Sequence, residues 1–145
     1  MEIKGVNTVI ANLRKYGKEA QKDIEGVTEL TARNIEKYAK QSAPADFGKL
    51  GQSIQAVKEN PLNWKVEAGG VIAPYAPFVE FGTGGLVEVP NELKEIAIKF
   101  KGKGIRQINL RPRPYLYPSL LRGRIEYLDK LKKVLEKYGK SKQVR

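Results

Sequence analysis

The chain contains no cysteine and no histidine. Without cysteine there are no disulfides, no thiolate metal ligands and no cysteine nucleophiles. Without histidine the chain lacks the side chain that most often serves as general base and as metal ligand. Long apolar runs are missing too, and none approaches the roughly 20 residues that a membrane span needs. These absences predict a protein that is not an enzyme and that has no cofactor, no metal, no small-molecule substrate and no membrane partner.

The remaining composition is that of a globular protein. The 145 residues are 41% hydrophobic and 30% charged, which fits one domain with a real core. The first residues, "MEIKGVNTVI", lack the basic-then-apolar layout of a signal peptide. We therefore expect a single domain over residues 1–145 that resides in a cytoplasm.

The net charge of +11 is unevenly distributed. The segment 51–95 has three lysines against six glutamates, whereas the segment 96–125 has no acid. The basic residues of the second segment are Lys99, Lys101, Lys103, Arg106, Arg111, Arg113, Arg122 and Arg124. A stretch of one sign repels itself unless something negative lies opposite it. That partner is a neighbouring subunit, another protein or nucleic acid, unless the stretch is simply a solvated surface.

Apolar periodicity predicts helices at both ends of the chain. Apolar residues three and four apart indicate a short helix over residues 3–16, interrupted at Gly17, and a longer one that ends before Pro44. Proline can open a helix, so Pro118 is expected to start a last helix over 118–138, ended by Gly139 and followed by a flexible basic tail. The expected apolar stripe of this last helix is Leu121, Ile125, Leu128, Leu131, Leu135 and Tyr138.

Apolar and polar residues alternate over 52–69, with Asn60-Pro61 as the turn, and this pattern predicts a β-hairpin. Asn91 is expected to cap a helix within a protruding insert over 82–106, and a further strand should follow near Ile105–Leu110. The extended "RPRPYLYP" should precede the last helix. The predicted fold class is α+β, with a small, mostly antiparallel sheet packed against a long N-terminal helix and a C-terminal helix, plus a loop-helix insert.

The stretch "YAPFVEFGTGG", Tyr75–Gly85, invites a nucleotide-binding interpretation, but it has neither the spacing nor the lysine of a phosphate-binding loop. Glu80 could be a buried acid with a raised pKa, yet no second titratable group is evident as its mate. We favour a structural role, in which Glu80 accepts backbone N–H bonds from the 82–85 turn or meets an arginine across an interface. The aromatic residues, three apart on one helical turn, fit a subunit contact or ordinary core equally well.

The basic block "KFKGKGIRQINLRPRPYLY" mixes cations with Tyr115 and Tyr117, which could stack on bases. No helix-turn-helix, zinc-finger or RNA-recognition signature accompanies it. Any nucleic-acid binding would therefore be without sequence preference and strongly dependent on salt.

Four segments in this order resemble the tail-component family of tailed bacteriophages and prophages, the head–tail connector, neck or tail-completion proteins. They are "APADFGKLGQSI", "YAPFVEFGTGG", "VPNELKEIAIKFKGKGIRQIN" and "RPYLYPSL". The resemblance covers about Ala43–Tyr127. The family's first segment usually carries threonine where this chain has Phe47, so a role that depends on that hydroxyl is not expected here.

The resemblance implies a structural virion morphogenesis protein at the head–tail junction that forms an oligomeric ring with sister subunits and other neck and tail proteins. It implies assembly in the host bacterial cytoplasm and then a place in the virion. The candidate subunit-interface residues are Tyr75, Phe78, Glu80, Phe81, Gly82, Gly84, Lys101, Lys103 and Arg106. The candidate residues facing DNA in the lumen are Arg111, Arg113, Arg122 and Arg124. The alternative is a basic protein that binds nucleic acid without sequence preference.

Overall fold

A computed structural model of the chain describes residues 17–45, 48–83, 91–93, 95 and 111–141. The described elements are helix α1 (Lys18–Ser42), helix α2 (Gly48–Ser53), strand β1 (Gln55–Asn60), strand β2 (Asn63–Glu67), helix α3 (Ala76–Phe81), a 3₁₀ turn (Asn91–Leu93) and helix α4 (Leu116–Ser141). The two strands form one antiparallel sheet. The predicted α+β class, with long helices near both ends, is confirmed.

The chain divides into two compact units, and each of the long helices contributes residues to both. Of the described residues, the first unit holds 17–36, 56–66 and 120–141, and the second holds 37–45, 48–55, 67–83, 91–93, 95 and 111–119.

The core of the first unit lies between α1 and α4. Ala20 and Ile24 of α1 pack with Tyr127 and Leu131 of α4, and all four side chains are buried. The Thr28 hydroxyl donates to the Ile24 carbonyl at 2.7 Å and lies 3.0 Å from the Tyr127 hydroxyl. Because the single Thr28 proton is already used, the Tyr127 hydroxyl is the donor in the second bond. Burial is the largest cause of the raised pKa of Tyr127.

Contacts along the two helices show that α1 and α4 run antiparallel. Asp23, early in α1, accepts bonds of 2.8 Å from both Lys137 and Tyr138, late in α4. Ile35, late in α1, lies against Gly123, early in α4, where an added Cβ would stand 2.6 Å from the Ile35 Cδ1 atom. The glycine therefore permits the close approach of the two helices at this level.

The hairpin belongs mainly to the first unit and is largely exposed. Glu36 of α1 accepts a 2.9 Å bond from the Ala56 backbone N–H, which ties β1 to the helix. Two cations lie near the Trp64 ring: the Arg33 guanidinium of α1 is 5.4 Å and the Lys58 ammonium of β1 is 5.9 Å from its centroid. A cation over an aromatic face is attracted to it, so the Arg33 contact helps to hold the hairpin to α1.

The second unit has its own small core around α2 and α3. Its fully buried side chains include Leu50, Ile54, Ala73 and Tyr115. The Ser53 hydroxyl donates to the Leu50 carbonyl at 2.7 Å and accepts the Gly69 N–H at 3.0 Å. Gly69 has φ +111, a conformation that favours glycine, and it brings the chain against Ala76 at the start of α3.

Several expected boundaries differ from those observed. Residues 52 and 53 were expected in the hairpin but belong to α2, where the Ser53 bond to Leu50 closes a helical turn. The last helix runs to Ser141, beyond the stop expected at Gly139. Pro44 ends α1 as expected, since the helix stops at Ser42. The expected helix over 3–16, the strand near 105–110 and most of the 82–106 insert lie outside the described residues, and the single-domain expectation stays a prediction.

Within the described residues, no helix combines the length and the apolarity that crossing a membrane would require.

Candidate functional site

Glu80 is the one acid of the stretch that the sequence singles out, and it lies on the short helix α3. Pro77 occupies the first turn, where its missing N–H is not needed. Val79 and Glu80 are both buried. Gly82 ends the helix with φ 69 and donates its N–H to the Phe78 carbonyl at 2.9 Å. A residue with a Cβ would be strained at that angle, so the glycine fixes where α3 stops.

The Glu80 carboxylate binds the start of α4. Its Oε2 accepts the N–H groups of Tyr115 at 2.8 Å and Leu116 at 2.9 Å, and its Oε1 accepts that of Tyr117 at 2.8 Å. The first four N–H positions of a helix have no partner within the helix, and here the fourth is Pro118, which has no N–H. One buried side chain therefore satisfies every N–H group at the start of α4.

This arrangement corrects the expected start of the last helix. Among the described residues, the backbone N–H groups that Glu80 accepts come from residues 115–117, and residues 84 and 85 of the expected turn lie outside the described part of the chain. The last helix begins at Leu116 and not at Pro118, so Leu116 and Tyr117 are helical and not extended. The cap supplied by Glu80 is the reason, since it stabilises two residues of helix ahead of the proline.

Further contacts hold the same segment in place. The Arg113 N–H donates to the Val79 carbonyl at 2.8 Å, so α3 binds the chain just before α4 as well. The Tyr117 hydroxyl donates to Glu92 at 3.3 Å, and the Ser119 hydroxyl donates to the Tyr115 carbonyl at 2.6 Å. Burial raises the pKa of Tyr115 well above its usual range, with smaller contributions from the charge of Glu80 and from Tyr75.

Chemically, the Glu80 site is a helix cap. Both carboxylate oxygens are already bonded to backbone N–H groups, and the side chain is only 8% exposed. A buried acid used in general acid–base catalysis must instead present an oxygen to a reacting group. In the described part of the chain, no cluster of three or more acidic side chains could hold a metal ion.

The other predicted interface residues divide into two groups. Tyr75, Phe78 and Phe81 are half-buried on or beside α3, Gly82 is buried, and the three aromatic residues all make interactions within the chain. Gly84, Lys101, Lys103 and Arg106 lie outside the described residues. All nine remain predictions as contacts to another subunit.

The predicted DNA-facing arginines lie on the surface. Arg111, Arg113 and Arg124 are exposed. The Arg122 side chain is 63% exposed and lies 3.4 Å from Glu126 in an ion pair along α4. Their exposure leaves contact with DNA open, and it stays a prediction.

The structure also reveals an exposed apolar surface that periodicity alone misassigned. Of the six residues expected to form one apolar stripe along the last helix, only Leu131 and Tyr138 lie in or against the core. The other four form a second face, which we call the α4 stripe: Leu121, Ile125, Leu128 and Leu135, at 38%, 70%, 55% and 37% exposure. Tyr127 and Gly123 face α1 instead. Helical spacing groups residues that lie close around the helix, but it does not say which group meets the neighbouring helix.

A second exposed apolar surface is the loop tip between Gly70 and α3. Val71 is 99% exposed and Ile72 is 51% exposed. Two glycines with positive φ, Gly69 and Gly70, precede the tip. No sequence signal other than the paired glycines could have marked this loop.

Fold and site together define a small α+β protein whose buried acid stabilises its own fold and whose apolar side chains are partly left at the surface. The chain belongs to the HK97-gp10-like family, described as "Bacteriophage HK97-gp10, putative tail-component", whose profile matches residues 7–82. It is therefore a structural protein of the phage particle, of the tail-component family that its sequence resembles. No curated protein and no solved structure gives a significant match.

Proposed function

We propose that this protein acts at the phage head–tail junction, where it completes the tail as a ring of identical subunits. Family membership supports a structural role in the particle. The observation that carries the proposal is the exposure of Val71, which is 99% exposed at the tip of a loop. The hydrogen bond between the Gly69 N–H and the Ser53 hydroxyl holds the start of this loop to the second unit. An apolar side chain held out in water has surface to bury against another subunit.

A closed ring needs two unlike patches on each subunit, because its contacts run head to tail. The chain supplies unlike charge as well: an acidic segment over 51–95 and a basic one over 96–125. We propose that the insert 82–106 docks on a neighbour and that its cations Lys101, Lys103 and Arg106 meet acidic groups there. Assembly takes place in the host cytoplasm before the ring enters the virion.

The test is a charge reversal in the phage or prophage that carries the gene. Changing Lys101, Lys103 and Arg106 to glutamate should abolish infectious particles while the purified monomer stays folded by circular dichroism. The matched control reverses three exposed lysines of α1, Lys18, Lys22 and Lys37, and so makes the same change in net charge.

Electron microscopy of the lysates distinguishes the outcomes. Filled heads beside complete, detached tails support the head–tail junction. Heads without any tails assign the protein to tail-tube assembly and contradict the junction. Normal particles from the triple variant contradict docking through the insert.

A second candidate function, nucleic-acid binding without sequence preference, is favoured by the exposure of Arg111, Arg113 and Arg124. Such a protein shifts labelled duplex as a monomer or dimer, and its affinity falls steeply as salt rises, because each phosphate contact releases counterions. A ring subunit that only lines a lumen binds duplex weakly before assembly. Tight binding by the monomer, lost on changing these three arginines to glutamine, would replace the ring proposal.

A further inference from the structure

The α4 stripe follows a heptad-like spacing. Ile125, Leu128 and Leu135 stand three and seven residues apart, with Lys132 at the intermediate position. At about 100° per residue, the stripe lies roughly 115° around the helix from the face that packs on α1. A helix laid on the stripe would therefore lie beside α4 without displacing α1.

The first residues of the chain carry a matching pattern. Ile3, Val6, Ile10 and Leu13 are spaced three, four and three apart. The α4 positions 125, 128, 132 and 135 have the same spacing in the same phase. Each N-terminal position therefore matches the α4 position whose number is higher by 122. Two helices with apolar residues in a common heptad phase can pack side by side over about two heptads. At Lys132 the aliphatic stem can cover Ile10 while its ammonium reaches water.

The course of the chain brings this segment to the stripe. Because α1 and α4 run antiparallel, the numbers of residues that face each other have a nearly constant sum. Asp23 faces Lys137 and Ile35 faces Gly123, so this sum is about 158. Gly17 therefore lies level with about residue 141 of α4. Gly17 has φ +88, an angle that suits a sharp change of chain direction. A helix that turns back there runs parallel to α4 and sets each residue beside one numbered about 124 higher. This differs by two residues, about 3 Å of helix, from the offset that the heptads require.

A second copy of the chain fits the stripe less well. If two copies pair antiparallel about Leu128, Arg124 of one copy faces Lys132 of the other, and both are cations. Like charges directly opposed disfavour that contact.

We propose that residues 3–16 form a helix that folds back at Gly17 and packs on the α4 stripe of the same molecule. The helix is the third member of the first unit, and it keeps the stripe away from water and from other copies. This inference does not depend on the head–tail proposal, because it concerns the monomer alone.

Cysteine pairs test it directly, because the natural chain has no cysteine. The full-length variant Leu13→Cys with Leu135→Cys should form a disulfide within one chain, seen as a faster-migrating monomer band on a non-reducing gel. A second pair, Ile3→Cys with Ile125→Cys, tests the other end of the helix. The matched control is Leu13→Cys with Lys133→Cys, since Lys133 lies at nearly the same height on α4 but about 125° away from the stripe.

The expected result is that both test pairs close at least about tenfold faster than the control, because docking raises the effective concentration of the two thiols. None of the changed positions lies in the α1–α4 core, so circular dichroism should show native helix content throughout. Disulfides that form only between chains would identify a second copy as the occupant and overturn the proposal. Equal rates for test and control pairs would also overturn it, by showing that the segment does not dock.

Discussion

The Glu80 carboxylate lies 2.8 Å from the backbone nitrogen of Tyr115, although 35 residues separate the two in sequence. The same carboxylate bonds the next two N–H groups, so a residue of the glycine-rich stretch determines where the last helix begins. A hydrogen bond to a charged group contributes about 1.5–3 kcal/mol, and buried N–H groups without partners are costly.

Glu80→Gln should lower the free energy of unfolding by about 2–3 kcal/mol, because the amide nitrogen cannot accept the bonds that one of the two oxygens accepts. Urea unfolding followed by circular dichroism measures the change. Glu95→Gln is the control, since Glu95 is exposed in the same unit, and it should change stability by less than about 0.5 kcal/mol. Equal stability of the two variants would show that the cap has little energetic importance.

Gly123→Ala should destabilise the protein by about 1–3 kcal/mol, because the new methyl group meets Ile35 across the α1–α4 contact. Gly26→Ala is the matched control: it is also a helical glycine, but nothing lies within 4 Å of its added Cβ, so it should stabilise by about 0.5–1 kcal/mol. Combining Gly123→Ala with Ile35→Ala should recover part of the loss. A loss from Gly123→Ala that persists unchanged in the Ile35→Ala background would mean that the two side chains do not meet.

Tyr115 and Tyr127 should ionise at a higher pH than a free tyrosine, because burial raises the pKa of both. In the folded protein the pKa of both side chains lies above the ordinary value of 10.0. Their contribution to stability is therefore complete below pH 10.0 and is lost as the pH rises through the higher pKa of the folded state. Titration of the tyrosinate absorbance should show a late fraction that ionises together with unfolding. Tyr127→Phe should reduce that fraction, and an unchanged titration would contradict the assignment.

Asp23→Asn should cost no more than about 1 kcal/mol near neutral pH, since the Asp23 side chain is 37% exposed and solvent screens its pair with Lys137. Bonds from Lys137 and then Tyr138 lower the pKa of Asp23 below its ordinary value of 3.8. Its stabilising effect is therefore present above that pH and disappears as the pH falls through the lower, folded value. Urea midpoints of the natural chain and the variant should converge in acid, and a constant difference would contradict the pairing.

Val71→Asp should leave the monomer as stable as the natural chain, because Val71 is fully exposed, but should reduce particle assembly if the loop tip meets another subunit. The measurement compares urea midpoints with infectious particle counts. Lys65→Asp, at an exposed position on β2, is the control and should assemble normally. Normal particle counts with Val71→Asp would remove this loop from the proposed interface.

Local sequence rules predicted the elements that depend on neighbours in the chain. Pro44 ends α1 because proline disfavours helix in the residue before it. The hairpin turn at Asn60-Pro61 was predicted for the same reason. These features depend on steric rules that act over a few residues.

The partner of Glu80 and the inward face of α4 could not be predicted in this way. Glu80 bonds residues 35 to 37 positions away, and no local pattern specifies that distance. The last helix carries enough apolar residues for two faces, and the pattern does not choose between them. Gly123, which contributes no apolar surface of its own, is what allows α1 to approach one face closely.

The sequence by itself determined the α+β class, the tail-component family, the turn residues and the absence of histidine and cysteine chemistry. Those follow from composition, motif order and the conformational limits of proline and glycine. Only the tertiary structure decided that Glu80 caps α4, that Tyr127 and Leu131 meet α1 while the α4 stripe does not, and that Val71 is exposed. The physical reason is that such contacts join residues far apart in the chain, so they depend on how closely helices approach and on which N–H groups remain without a partner after folding.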